Sequence, residues 1–292
     1  MAQKKVLVTG ATGQQGGAVV DALRSDTTAE YELYGMTRDA DSDAAAALAE
    51  RGVRVVEANM NDRASLDAAV EGMDYVFLVT TFFEEGPEME TRQGTRMVDA
   101  CVAADVEYLV YSSVAGADHA PLAHFESKRA VEEYITASGL EWTFVRPVFF
   151  MQNFEWQADD IERGTLAMPL AEDVSLAVVD VADIGRLVAT AFDDPIRWAG
   201  ETVELAGDEL TLEGFAAAFA DALGHDVAAV HLDVDDYRAD AGDELADMYQ
   251  WFNDQGYDVD VPALSVRTGI DYTTFAAYVD AHWASRPAPA SA

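Results

Sequence analysis

Residues 6–23 read VLVTGATGQQGGAVVDAL: an apolar run, then Gly10, Gly13 and Gly16 in G-x-x-G-x-x-G spacing, then a stretch with helical apolar periodicity. That order spells strand, tight turn, helix. Each glycine has its own physical task. Gly10 lets the chain turn sharply out of the strand, Gly13 lets the backbone come close to a ligand, and Gly16 removes a side chain where helix meets sheet. The helix N-terminus then offers free N–H groups and partial positive charge, which suits a diphosphate. A plain tight turn is the bland alternative. The flanking strand and helix favour dinucleotide binding along Gly10, Ala11, Thr12, Gly13, Gln14, Gln15 and Gly16.

Outward from this unit the rhythm repeats. Apolar runs at Lys5–Thr9, Glu32–Thr37, Val53–Glu57, Tyr75–Val79, Tyr108–Ser112 and Thr143–Val145 alternate with helical patterns at Gly16–Arg24, Ala44–Arg51, Ser65–Val70, Met89–Ala104 and Phe125–Ser138. Nearly all-apolar strands are expected where helices cover both faces of a parallel sheet. The fold class is therefore α/β, a Rossmann-type doubly wound parallel sheet. After Pro147 the alternation gives way to helical patterns at Phe154–Arg163, Val181–Phe192, Thr211–Leu223, Gly242–Trp251 and Tyr272–Trp283, with short extended pieces between them. The expected organisation is a nucleotide-binding domain over 1–150 and a smaller α+β substrate or partner domain over 151–284. Some strands of the latter are free to rejoin the main sheet. A mobile tail, 285–292, follows.

Charge bounds the partners. The chain carries 54 acidic and 18 basic residues, a formal net charge of -36, which repels nucleic acid and anionic lipid alike. The acids are dispersed rather than gathered in a tail, so they read as a globular surface adapted to concentrated salt, where charge repulsion is short-ranged. No run of about 18 apolar residues is present. Neither a membrane span nor a signal core is expected, and the location implied is cytoplasmic. The lone cysteine, Cys101, lies on an apolar helical face and fits a reducing compartment. No metal-ligand spacing occurs, and His225 and His231 are expected to cap or line local structure.

Other candidate positions sit at carboxyl ends of strands, where open α/β sheets bind ligands. The second strand ends YGMTRDA, with Arg38 where an acid would take the ribose 2′-hydroxyl of NAD(H). A guanidinium there suits a 2′-phosphate, so NADP(H) is favoured over NAD(H), through a partly buried Arg38 contact. The alternative is one more solvated arginine. EANMND places Asn59, Asn61 and Asp62 near an adenine, though ordinary loop polarity explains them as well. LVTTFFEE places Thr80, Thr81, Phe82 and Phe83 beside the ribose and nicotinamide, with core packing as the competing reading of the phenylalanines.

The region YLVYSSVAGADHAPLAHFESKRAVEEY holds the candidate chemistry. Among three lysines only Lys128 lies beyond the first five residues, and a generic surface charge in so acidic a chain would be Asp, Glu or Arg. Lys128 is expected to touch the ribose or nicotinamide. Four residues earlier, on the same helical face, stands His124. It is either a proton relay or a residue packed at a helix start. Ser112 and Ser113 are placed to hold a substrate carbonyl or the nicotinamide amide, while Tyr111 points to the other side of its strand.

The glycine spacing resembles that of extended and atypical short-chain dehydrogenase/reductases. Together with MTRDA, FLVTTFFEE, HFESKRAVEEY and WTFVRPVFFMQNF, it makes the chain similar to the NmrA-like family and its HSCARG-like branch. VDVADIGRLVATAFDDP and GETVELAGDELTLEGFA extend a weaker match. The resemblance implies that Phe150, Met151, Gln152 and Asn153 form a loop over the nicotinamide. It also implies one of two activities. The first is an NADPH redox sensor or regulator acting through a protein partner, with little or no turnover. The second is an NAD(P)H-dependent reductase of a small apolar quinone or carbonyl, for which Phe82, Phe83, Phe149, Phe150 and Trp156 would suit a flat substrate. His124 stands where ordinary dehydrogenases carry a tyrosine, which disfavours their chemistry; direct DNA binding is not expected, and a homodimer is compatible with the resemblance.

Overall fold

A computed structural model describes residues 3–284 and Arg286. The chain runs β1 (Lys4–Val8), α1 (Gln14–Ser25), β2 (Tyr31–Thr37), α2 (Asp43–Glu50), β3 (Arg54–Glu57), α3 (Arg63–Val70), β4 (Tyr75–Val79), α4 (Pro87–Ala103), β5 (Tyr108–Ser112), α5 (Ala123–Ser138) and β6 (Glu141–Pro147). Next come β7 (Phe149–Phe150), a 3-10 helix (Met151–Gln157), α6 (Ala158–Glu162), β8 (Thr165–Met168) and β9 (Ser175–Val179). Then follow α7 (Val181–Asp193), α8 (Pro195–Trp198), β10 (Glu201–Leu205), β11 (Asp208–Thr211), α9 (Leu212–Leu223), β12 (Ala228–His231), α10 (Val234–Ala241), α11 (Asp243–Asp254), α12 (Val261–Thr268) and α13 (Phe275–Trp283).

The chain divides into two compact units, one of residues up to Pro147 plus Val181–Glu204, the other of Val148–Asp180 plus the residues from Leu205 onward. The first is an α/β Rossmann-type unit. Its seven-stranded sheet has the order β10-β6-β5-β4-β1-β2-β3. β1 pairs in parallel with both β2 and β4, so the winding direction reverses beside β1. Such a reversal leaves a crevice at the carboxyl ends of the strands. Val6, Leu7 and Val8 are fully buried, as helices on both faces require. On one face Leu7, Val76, Leu78 and Leu109 pack with Leu66, Met97, Val98 and Cys101 from α3 and α4. On the other, Gly185 of α7 meets α1 so closely that a Cβ there would lie 2.4 Å from the Ala18 carbonyl oxygen.

The second unit holds a three-stranded sheet, β11-β9-β7, and the pair β12-β8. Its core is aromatic: the Phe154 ring lies 5.1, 5.5 and 5.0 Å from Phe215, Phe219 and Phe275. The tail expected over 285–292 lies outside the described residues apart from Arg286, whose guanidinium meets Glu155 and Glu162.

The α1–α7 contact gives a direct test of packing. Gly185→Val is expected to lower the unfolding free energy by about 1–3 kcal/mol, because the backbone it would strike cannot yield cheaply. The readout is the urea midpoint at unchanged slope; a wild-type midpoint would show that the two helices leave room for a side chain.

Candidate functional site

Gly10, two residues past the end of β1, has φ +59, a left-handed conformation that L side chains rarely adopt. The Gly13 N–H donates to the Gly10 carbonyl at 2.8 Å and closes the turn. Gly13 is the N-cap of α1, and no side chain caps that end, nor does any acid stand in the first turn. The first N–H groups of the helix therefore face outward with the positive end of its dipole. Gly16 is required for contact: a Cβ there would fall 2.3 Å from the Gly10 oxygen. The tasks read from the sequence for Gly10 and Gly16 thus have distances behind them.

A groove of about 760 Å³ runs from this turn across the carboxyl ends of β2, β3 and β4, lined in order by Gly10, Thr12 and Gly13, by Thr37–Asp39, by Ala58–Asn61, and by Val79–Thr81, Glu84 and Glu85. Arg38 lies on its rim. Its side chain is 66% exposed, not partly buried as expected, because β2 ends there and only the β4–α4 turn stands opposite. That turn supplies Glu84, which accepts from both terminal guanidinium nitrogens of Arg38, Nη2 at 2.9 Å and Nη1 in the closer contact. The Arg38 hydrogen bond holds the Glu84 carboxyl below the usual glutamate range.

Neighbouring Glu85 accepts from Asn61 Nδ2 at 2.8 Å and from Gln93 Nε2 at 2.7 Å. Asn59 and Asp62 serve the loop itself: Asn59 Oδ1 accepts from the Asn61 N–H at 2.9 Å, and Asp62 caps α3 through the Ala64 N–H at 3.0 Å. Thr81 is exposed in the groove. Thr80 also lines it, but its hydroxyl turns away, toward α4 and α5.

Lys128 is held by protein partners at the end of β4. Its Nζ donates to the Thr80 carbonyl at 2.8 Å and pairs with Glu90 Oε1 at 2.9 Å. Glu90 is buried, and its carboxylate also accepts from Thr80 Oγ1 at 3.0 Å and Ser127 Oγ at 2.5 Å. Burial would push the Glu90 carboxyl up, but the Lys128 charge and the hydrogen bonds from Ser127, Lys128 and Thr80 outweigh it and hold it low. The Tyr111 hydroxyl, 3.2 Å from Thr80 Oγ1, completes the cluster, and burial pushes its pKa well above the usual phenol range. Glu90 was not singled out from the sequence. The signal was present, since Glu90, Gly94, Met97, Val98 and Cys101 are buried on one stripe of α4.

Tyr111 and Ser112 face opposite ways, as strand geometry requires. Ser112 Oγ donates to Gln15 Oε1 at 2.5 Å and so fixes a side chain of the glycine turn's helix. The Ser113 hydroxyl is buried with no hydrogen-bond partner among the described residues. His124 is buried in the first turn of α5 and stacks on Phe82, centroids 4.6 Å apart, while Phe82 stacks on the exposed Phe83 at 4.2 Å. In the second unit, Phe150 ends β7 and Met151 to Asn153 open a 3-10 helix rather than a loop. Met151 is buried, Phe149 packs on Phe154 and Phe252, Gln152 Nε2 donates to Asp180 at 2.7 Å, and Trp156 is exposed. No group of three metal-ligating side chains occurs among the described residues, and no described helix is long and apolar enough to cross a membrane.

The geometry fits a dinucleotide: a turn with glycines at its two ends, an uncapped helix end and a groove at the sheet's reversal point.

The paired charges predict a stability pattern. Glu90→Leu or Lys128→Met alone leaves a buried charge unpaired, and each is expected to cost about 3–5 kcal/mol, whereas the double change costs less than either. The carboxyl is held low in the folded state, so its contribution is present above the usual glutamate pKa and lost as pH falls through the lower folded value. Urea titrations from neutral to acid pH should show wild type losing stability more steeply than the double variant; parallel curves would mean that the pair is not ionised.

Comparison with known proteins gives the same picture. The model of the NmrA-like family matches residues 2–279. The NAD(P)H azoreductase of Xenophilus azovorans is 30% identical over 252 residues, covering 75% of this chain and 84% of that protein. The crystal structure of the NADPH-dependent quinone oxidoreductase of Escherichia coli, complexed with NADPH, has a TM-score of 0.81 at 27% identity, covering 95% of this chain and 99% of that one. NmrA, a negative transcriptional regulator crystallised with NADP, shares the fold, with a TM-score of 0.76 at 20% identity over 97% of this chain and 96% of its own.

Proposed function

The chain belongs to the NmrA-like family, and from that premise we propose that its first unit binds NADP(H) and uses it to reduce a flat, electron-poor acceptor such as a quinone. The observation that carries the reading is the groove, whose floor is the glycine turn and whose rim holds Arg38. The outward N–H groups at the start of α1 would hold the diphosphate, and Arg38 the 2′-phosphate. Thr81 and the Phe82–Phe83 pair at the end of β4, with the Ser113 hydroxyl at the end of β5, would line the nicotinamide side. When bound, the reduced cofactor supplies a hydride.

Lys128 has a different task in this reading from the one expected of it. With its Nζ committed to Thr80 and Glu90, it holds the end of β4 in place against α4 and α5. It is a positioning residue for the groove rather than a proton donor. His124, stacked on Phe82, likewise supports a groove residue. A quinone suits such a site, because its reduced oxygens can take protons from water without a tyrosine acid.

A second reading, a redox sensor that binds NADP(H) and signals to a protein partner, draws on the same commitment of Lys128. Among the described residues that line the groove there is no tyrosine, histidine or lysine, so the site suits binding better than general acid catalysis. Turnover separates the two.

In about 1 M KCl the chain is expected to bind NADPH in calorimetry and to oxidise it against a panel of small quinones. Gly13→Asp adds a carboxylate at the turn; with its fold checked by circular dichroism, it should lower NADPH affinity by at least about 100-fold. NADPH binding with no oxidation across the panel would select the sensor, and unchanged binding by Gly13→Asp would remove the nucleotide from the turn.

The surface charge carries a separate proposal, adaptation to concentrated salt. Raising KCl from about 0.1 M to about 2 M should raise the midpoint of thermal unfolding, as screening relieves repulsion among the acids. A midpoint that is flat or falls with KCl would contradict it.

A further inference from the structure

The β4–α4 turn reaches the groove with two acids, which is unexpected beside a site for a polyanion. Phe82–Gly86 is a compact turn, closed by the Gly86 N–H donating to the Phe82 carbonyl at 2.8 Å, and Gly86 adopts φ +81. The turn presents Glu84 to Arg38 and Glu85 to Asn61 and Gln93. It is thereby tied to the ends of β2 and β3, the strands whose ends form the adenosine side of the groove.

We propose that Glu84 occupies, on Arg38, the place that the 2′-phosphate of NADP(H) takes, and so sets how strongly this chain prefers NADP(H) over NAD(H). The inference rests on the NADP(H) reading above. A carboxylate and a phosphate offer the same two-oxygen face to the guanidinium fork, and one guanidinium face cannot serve both at once. A 2′-phosphate that takes the Nη1/Nη2 edge displaces Glu84 from Arg38, whereas NAD(H), which has a 2′-hydroxyl, binds with the pair intact. The pair is exposed on both sides, 66% for Arg38 and 52% for Glu84, so breaking it is cheap but not free. Glu84 is in this account a built-in competitor that narrows the preference Arg38 creates.

The test measures affinity for NADPH and NADH by calorimetry in wild type, Glu84→Gln, Arg38→Ala and the double variant. Glu84→Gln keeps the size of the side chain and removes its charge. It should tighten NADPH about two- to fivefold, the range an exposed ion pair spans, and leave NADH unchanged. In the Arg38→Ala background the same change should have no effect on the NADPH-to-NADH ratio. Glu71→Gln, an exposed acid outside the groove, controls for net charge and should leave the ratio at the wild-type value. A ratio that Glu84→Gln leaves unchanged, or moves toward NADH, overturns the role of Glu84 while leaving NADP(H) binding standing. The second of these outcomes would assign Glu84 to a ribose hydroxyl instead. Wild type that binds neither nucleotide overturns both.

Discussion

Helix α1 packs tightly on the turn that leaves β1 because no side chain stands between Gly16 and the Gly10 carbonyl. That close approach brings an uncapped, electropositive helix end to the carboxyl edge of the sheet, beside the point where the strand order reverses. The groove follows from it. A side chain at position 16 would push the helix off the strand, and the floor of the groove would lose both its shape and its N–H groups. The strand ends carrying Arg38, Asn61 and Thr81 are arranged around that floor and line the same groove.

The buried cluster of Glu90, Lys128, Ser127, Thr80 and Tyr111 serves the same end from behind. A charge pair shielded from water gains little stability over apolar packing, but it is geometrically demanding. Here its geometry fixes the carbonyl of Thr80, the residue on which the groove wall turns from β4 into the Phe82–Gly86 turn. A scarce lysine on the face of a helix reads from sequence as a ligand contact. In the fold its Nζ bonds the backbone carbonyl of Thr80, a residue that lines the groove.

The fold of the first half was legible because strands buried on both faces leave apolar runs, and the glycine turn fixes which strand comes first. All six strands expected there occur, shifted by at most two residues at their ends. The seventh strand of that sheet, β10, reads ETVEL; one polar-alternating pentapeptide carries no mark of the sheet it joins. Helix α10 was missed because VDDYRADA buries no residue and so has no apolar stripe, and α12 because it buries only Leu264 and Thr268. At the site, local sequence placed Gly10, Gly13, Arg38, Asn61 and Thr81 around one groove. Partners far apart in sequence were invisible: Glu84 lies 46 residues from Arg38 and Glu90 lies 38 from Lys128, and only the sheet brings them together.

The measurement closest to the central claim follows backbone amides of the ¹⁵N-labelled chain in concentrated KCl during titration with NADPH. The account predicts that the largest shifts fall on Thr12 in the turn and on Gln14, Gln15 and Gly16 at the start of α1, because those N–H groups would receive the diphosphate. Saturable binding that leaves these four amides unmoved, with shifts gathered elsewhere in the chain, would contradict it.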